Sequence, residues 1–91
     1  MSLKEVAKNL NMFLAQIGLR VRYKRKNKSA YIIISDYWIF SPKIADFEYK
    51  GEGYEIILKK DCEDYLDSLL DVLEQFRKEF KTNIIEGVVV R

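Results

Sequence analysis

The chain of 91 residues has no histidine, one cysteine, one proline and four glycines. Each scarcity closes off a class of chemistry or structure. Without a second thiol, Cys62 has no intramolecular disulfide partner, and the missing histidines remove the usual zinc and iron–sulfur ligand sets. General acid–base work would fall to a carboxylate or lysine of shifted pKa, and no pair is marked out by spacing. The chain is therefore read as non-catalytic, with no cofactor and no metal. Gly51, Glu52 and Gly53 lie between two strand-like runs and read as a hairpin turn, not as a glycine-rich phosphate cradle. No apolar run approaches the roughly 20 residues of a membrane span, and the first residues lack the apolar core of a secretory signal. The expectation is a cytoplasmic protein without a membrane partner.

Aliphatic and aromatic residues make up 48% of the chain and are spread along it, as one folded domain over residues 1–91 requires. Lys, Glu and Ile are abundant while Gln, Cys and His are scarce, a bias seen in proteins from hot environments. The net charge of +2 hides a polarity. Met1 to Ile34 carries eight basic residues against one acid, whereas Asp61 to Glu79 carries seven acids against two bases. Such a division either presents a field to partners or is consumed holding the two halves together.

Ser2 and Glu5 have the spacing of a helix-capping box, and Leu3, Val6, Ala7, Leu10, Phe13, Leu14 and Ile17 recur at steps of three and four before Gly18. This predicts an amphipathic helix with Lys4, Lys8 and Asn11 on its solvated side. From Leu19 the period becomes two: Leu19, Val21 and Tyr23 alternate with Arg20, Arg22 and Lys24, giving a half-buried strand. Asn27 and Lys28 form the expected turn before the Ile-rich strand Ala30 to Ser35. A short strand is plausible in DYWIFSP, Asp36 to Pro42, and strands at Ile44 to Lys50 and Tyr54 to Lys59 flank the glycine turn. Asp61 then caps a second helix with the apolar stripe Cys62, Tyr65, Leu66, Leu69, Leu70, Leu73, Phe76 and Phe80. Asn83 to Arg91 reads as a terminal strand bulged at Gly87, with Ile84, Glu86, Val88 and Val90 on one face and Ile85 and Val89 on the other. The fold class is α+β: an antiparallel meander of four to five strands, an N-terminal and a long C-terminal helix on one face, and a terminal strand.

The richest functional signal is RVRYKRKNKSAYIIIS, which places six cations, Arg20, Arg22, Lys24, Arg25, Lys26 and Lys28, within nine residues. A turn centred on Asn27 and Lys28 sets Lys24 opposite Tyr31, Arg22 opposite Ile33 and Arg20 opposite Ser35. Cations beside an exposed aromatic suit sequence-tolerant binding of a single strand, phosphates meeting charge and bases stacking on the ring. Arg20 to Lys24 spans about 13 Å of strand, the reach of about four stacked nucleotides. The competing reading is a solvated hairpin face, or one whose charge is neutralised by Asp46, Glu48 and Glu55 across the sheet.

A meander followed by a long amphipathic helix resembles, in arrangement alone, the Pur-type and Whirly-type single-stranded nucleic-acid-binding proteins, and helix-first layouts occur in double-stranded RNA-binding domains. No shared motif accompanies the resemblance, and the leading helix and trailing strand depart from it. The primary expectation is a small nucleic-acid-binding protein for single-stranded or structured DNA or RNA, in which the six cations contact phosphates and Tyr31 stacks. The alternative is a protein–protein adaptor or accessory subunit. It would use the acidic stripe Asp64, Asp67, Asp71 and Glu74, about 15 Å long, the aromatics around Trp38 and the VVV run as an edge. Both faces of that terminal strand are substantially apolar, so a homodimer is expected if the strand lies at a sheet edge.

Overall fold

A computed structural model describes residues 1–35 and 40–91. The strand expected within 36–42, together with Trp38, falls largely outside the described residues. Helix α1 (Leu3–Leu14) leads through a 3-10 turn to β1 (Leu19–Lys24), β2 (Ser29–Ile34), β3 (Lys43–Tyr49) and β4 (Tyr54–Leu58). A second 3-10 segment (Lys60–Tyr65) precedes α2 (Leu66–Phe80), and β5 (Ile85–Val90) follows. The five strands form one sheet in the order β1-β2-β3-β4-β5. The α+β architecture is as expected with one correction: β5 lies parallel to β4, so the sheet is mixed. The α2 crossover imposes this direction, since it carries the chain from the end of β4 back to the level where β4 began.

Local chemistry explains the helix ends. The Ser2 hydroxyl accepts from the Glu5 amide at 3.2 Å, and Gly18 closes the first helical segment at φ 72°. Leu3, Val6, Ala7, Leu10 and Leu14 are buried together with Leu69, Val72, Leu73 and Phe76 of α2 over the inner side of the sheet. Phe13 meets Phe76 and Phe80 edge-on, with ring centroids 6.4 Å apart in each pair, so the helices lock to one another as well as to the strands.

Three further expectations are corrected. Asn11 is not solvated: its side-chain oxygen accepts from the Val21 amide at 2.7 Å and its side-chain nitrogen donates to the Val21 carbonyl at 3.2 Å. A side-chain amide thus takes the place of a neighbouring strand on the β1 edge. Asp61 does not cap α2, which starts at Leu66 after a 3-10 segment interrupted at Cys62 (φ −113°, ψ 17°). In β5 the bulge falls where expected, Ile85 pairing with Tyr54 and Gly87 with Glu55, but it reverses the phase of the strand. Ile85, Val88 and Val90 therefore share the inner side, and Val89 faces outward opposite Ile57.

Gly53 is required by proximity: a Cβ there would run into the Ile84 carbonyl oxygen, the acceptor for the Tyr54 amide at 2.7 Å. On the opposite flank, Arg77 donates from one guanidinium nitrogen to the carbonyls of Ile85 (2.7 Å) and Glu86 (3.0 Å), fastening α2 to the start of β5.

Asn11→Ala leaves the Val21 amide and carbonyl without partners at a part-buried position, and is expected to cost about 1–3 kcal/mol. Urea denaturation measures it, with Gln16→Ala, an exposed change, expected within about 0.5 kcal/mol of the parent.

Candidate nucleic-acid interface

Both helices pack on the inner side of the sheet, so among the described residues no helix covers the outer side. Its residues follow from strand alternation. Strand β1 contributes Arg20, Arg22 and Lys24, all exposed, and β2 contributes Ser29, Tyr31 and Ile33. Strand β3 contributes Lys43, Asp46 and Glu48, β4 contributes Glu55 and Ile57, and β5 contributes Val89.

The β1–β2 pairing differs from the expected one by two residues. Arg22 lies opposite Tyr31, Arg20 opposite Ile33 and Lys24 opposite Ser29. The turn occupies all four residues from Arg25 to Lys28, with Lys28 in the left-handed region at φ 50°, and the Ser29 hydroxyl bonds the Asn27 side chain at 2.7 Å. A shift of two exchanges partners without exchanging faces, so Arg20, Arg22 and Lys24 still share one side with Tyr31 and Ile33. Lys26 joins Arg25 and Lys28 in the loop, where all three are exposed. The Lys24 ammonium sits 5.2 Å from the centre of the half-buried Tyr31 ring. Ile33, 2% exposed and outside the main core cluster, is not accessible to a ligand.

The acids of the outer side decide between a free ribbon and a neutralised one. Asp46 pairs with Lys43 at 3.1 Å. Glu48 pairs with Lys50 at 2.9 Å and with Arg91 at 3.3 Å, and Glu55 lies 3.8 Å from Lys50. Among the described residues no ion pair reaches Arg20, Arg22, Lys24, Arg25, Lys26 or Lys28. The outer side is thus divided into a basic half on β1–β2 and a half on β3–β5 whose charges compensate one another. Sequence reasoning found Asp46, Glu48 and Glu55 but not Lys43, Lys50 and Arg91 as their partners, because those contacts depend on strand order and side-chain reach.

The other candidates are dispersed. Asp67, Asp71 and Glu74 are exposed along α2 and Asp64 on the 3-10 segment before it, Glu74 pairing with Lys78 at 3.3 Å. Among the described residues no cluster of carboxylates and cysteine is arranged to hold a metal ion. Burial pushes the Cys62 thiol up, aided by the charge of Asp61 and the bond the thiol donates to it at 3.6 Å, which disfavours the reactive thiolate. A polar hollow of about 720 Å³ opens where β5 begins, lined in part by Glu52, Arg77, Thr82, Asn83 and Glu86, and it includes none of the six hairpin cations, Tyr31 or the acids of the α2 stripe. Phe40 is 85% exposed, so at least one aromatic of the 36–42 stretch is outside the core. No helix among the described residues is long and apolar enough to cross a membrane. Comparison with protein-family models, with curated proteins and with solved structures finds no match to this chain.

The Glu48 carboxyl is held below the ordinary glutamate value, first by the hydrogen bond from Lys50 and then by the Lys50 and Arg91 charges. The stability from this cluster is present above the unfolded glutamate pKa and is lost as pH falls through the lowered folded value. A carbon-detected NMR titration is expected to show that low midpoint, and Lys50→Ala to move it upward. A midpoint indifferent to Lys50 would disprove the pairing.

Proposed function

We propose that the protein is a non-catalytic, cytoplasmic nucleic-acid-binding protein that holds a single strand of DNA or RNA against the β1–β2 half of the outer sheet face. The observation that carries this reading is the division of charge. The acids on the same face are engaged by Lys43, Lys50 and Arg91, while the six cations from Arg20 to Lys28 have no acidic partner among the described residues. Three cations project from the strand and three from the adjoining loop, with Tyr31 directly opposite Arg22. Phosphates would run along β1 over about 13 Å. A base would take the place that Lys24 now occupies over the Tyr31 ring, and Lys24 would turn to a phosphate. A protein-docking role has a narrower basis, in the exposed Phe40 and the acidic α2 stripe.

Neutralising four to six single-strand phosphates gives a log–log dependence of affinity on salt with a slope of about −3 to −4. Fluorescence anisotropy with labelled homopolymer oligonucleotides of eight nucleotides measures it. Arg22→Ala with Lys24→Ala is expected to weaken all sequences alike and flatten the slope by about 1.4, whereas Tyr31→Ala is expected to cost about 1–3 kcal/mol. Absence of binding at low salt, or affinity indifferent to salt, would refute the proposal.

A further inference from the structure

The two edges of the sheet are finished differently. On β1, Asn11 occupies the outward amide and carbonyl of Val21, and Arg20, Arg22 and Lys24 line the strand with charge, which discourages pairing with another chain. On β5, the start is covered by Arg77, which takes the Ile85 and Glu86 carbonyls. Further along, Arg91 bonds both ways to β4, its amide donating to the Leu58 carbonyl and its carbonyl accepting from the Lys60 amide. Backbone groups alternate in direction along a strand, so Val89 also turns toward β4 while Val88 and Val90 turn their amides and carbonyls to the open edge. No charged residue interrupts Gly87 to Val90.

Helix α2 supplies a second, independent observation. Lys60, just before it, is bonded to Arg91, and Arg77, in its last turn, is bonded to Ile85 and Glu86, so α2 runs antiparallel to β5. Leu70 precedes Arg77 by seven residues, which returns it to the same side of the helix about 10 Å back along the axis. That distance is about three residues of strand and places Leu70 level with Val88 and Val89. Leu70 is 45% exposed, which leaves an apolar side chain beside the edge strand for a second chain to cover.

We propose that β5 pairs antiparallel with β5 of a second copy across a twofold axis at Val89, setting Val88 opposite Val90 of the second copy and joining the two sheets into one of ten strands. The segment is self-complementary in this register. The outward groups of Val88 and Val90 bond each other reciprocally, the outer sides of the two sheets become continuous, and the Leu70 side chains approach over the seam from the helix side. The two basic hairpins then lie at the far edges, nine strand spacings or about 43 Å apart, beyond the reach of one short oligonucleotide. This pairing is independent of what the hairpins bind.

Sedimentation equilibrium at micromolar concentration tests it with three proteins. The parent is expected at twice the 10.8 kDa chain mass. Val88→Pro removes an outward donor from an edge position that tolerates proline in the monomer and is expected to give the chain mass. Leu70→Lys, a change at an exposed helix position that cannot prevent folding by leaving a cavity, is expected to weaken the dimer about tenfold or more. Circular dichroism confirms that each variant is folded, and Leu70→Lys decides the matter if Val88→Pro does not fold. A parent at the chain mass overturns the proposal, and so does a parent assembly whose mass the folded variants leave unchanged.

Discussion

Phe13 of the first helix meets Phe76 and Phe80 of the second in two edge-to-face contacts, and this junction joins the opening and closing thirds of the chain. Pairs of this geometry contribute about 0.5–1.5 kcal/mol each beyond the area they bury. Their architectural effect is larger. With α1 held against α2, both helices must lie on one side of the sheet, and nearly all the large apolar residues of the strands are drawn to that side. The opposite side carries the cations, the carboxylates and Tyr31, with Ile33, Ile57 and Val89 among them, so the charged face is the complement of the helix pair.

That one-sidedness gives the charge polarity of the sequence its meaning. The basic front of the chain and the acidic stretch from Asp61 to Glu79 do not neutralise each other, because the acidic stripe of α2 points away from the sheet that carries the hairpin. The acids on the sheet come from β3 and β4 instead, and they are matched by cations close to them in space: Lys43, Lys50 and Arg91. Exposed pairs of this kind add little to stability. What they change is the field of the outer side, where among the described residues of the five strands they leave the cations without an acidic partner on the β1–β2 hairpin and its loop.

Periodicity made much of this legible. The three-and-four spacing of α1, the alternation from Leu19 to Lys24 and the glycine turn at Gly51 to Gly53 are local patterns, and the structure follows them. The β1–β2 turn was misjudged by two residues because Arg25, Lys26, Asn27 and Lys28 include no glycine or proline to mark the reversal, and the left-handed position fell to Lys28. The faces nonetheless survived, since an even shift preserves them. The role of Asn11 is not legible in the sequence, because its partner, the Val21 backbone, has no side-chain signature. The direction of β5 was illegible for a related reason: a strand pattern records which side is apolar, not which neighbour it joins or in which sense.

Because β5 lies parallel to β4, no tight turn can join them, and the whole of α2 intervenes. The hairpins β1–β2 and β3–β4 each close over four residues and carry a smaller loop-closure cost. Local pairings of this kind form faster than pairings between distant segments, so the meander assembles ahead of the crossover. During that interval the free side of β4 is a vacant berth, and either the chain's own α2–β5 segment or the same segment of a neighbour fits it. Exchange of that segment between molecules is the misassembly to which this topology is most exposed, and its frequency rises with the concentration at which the chain folds.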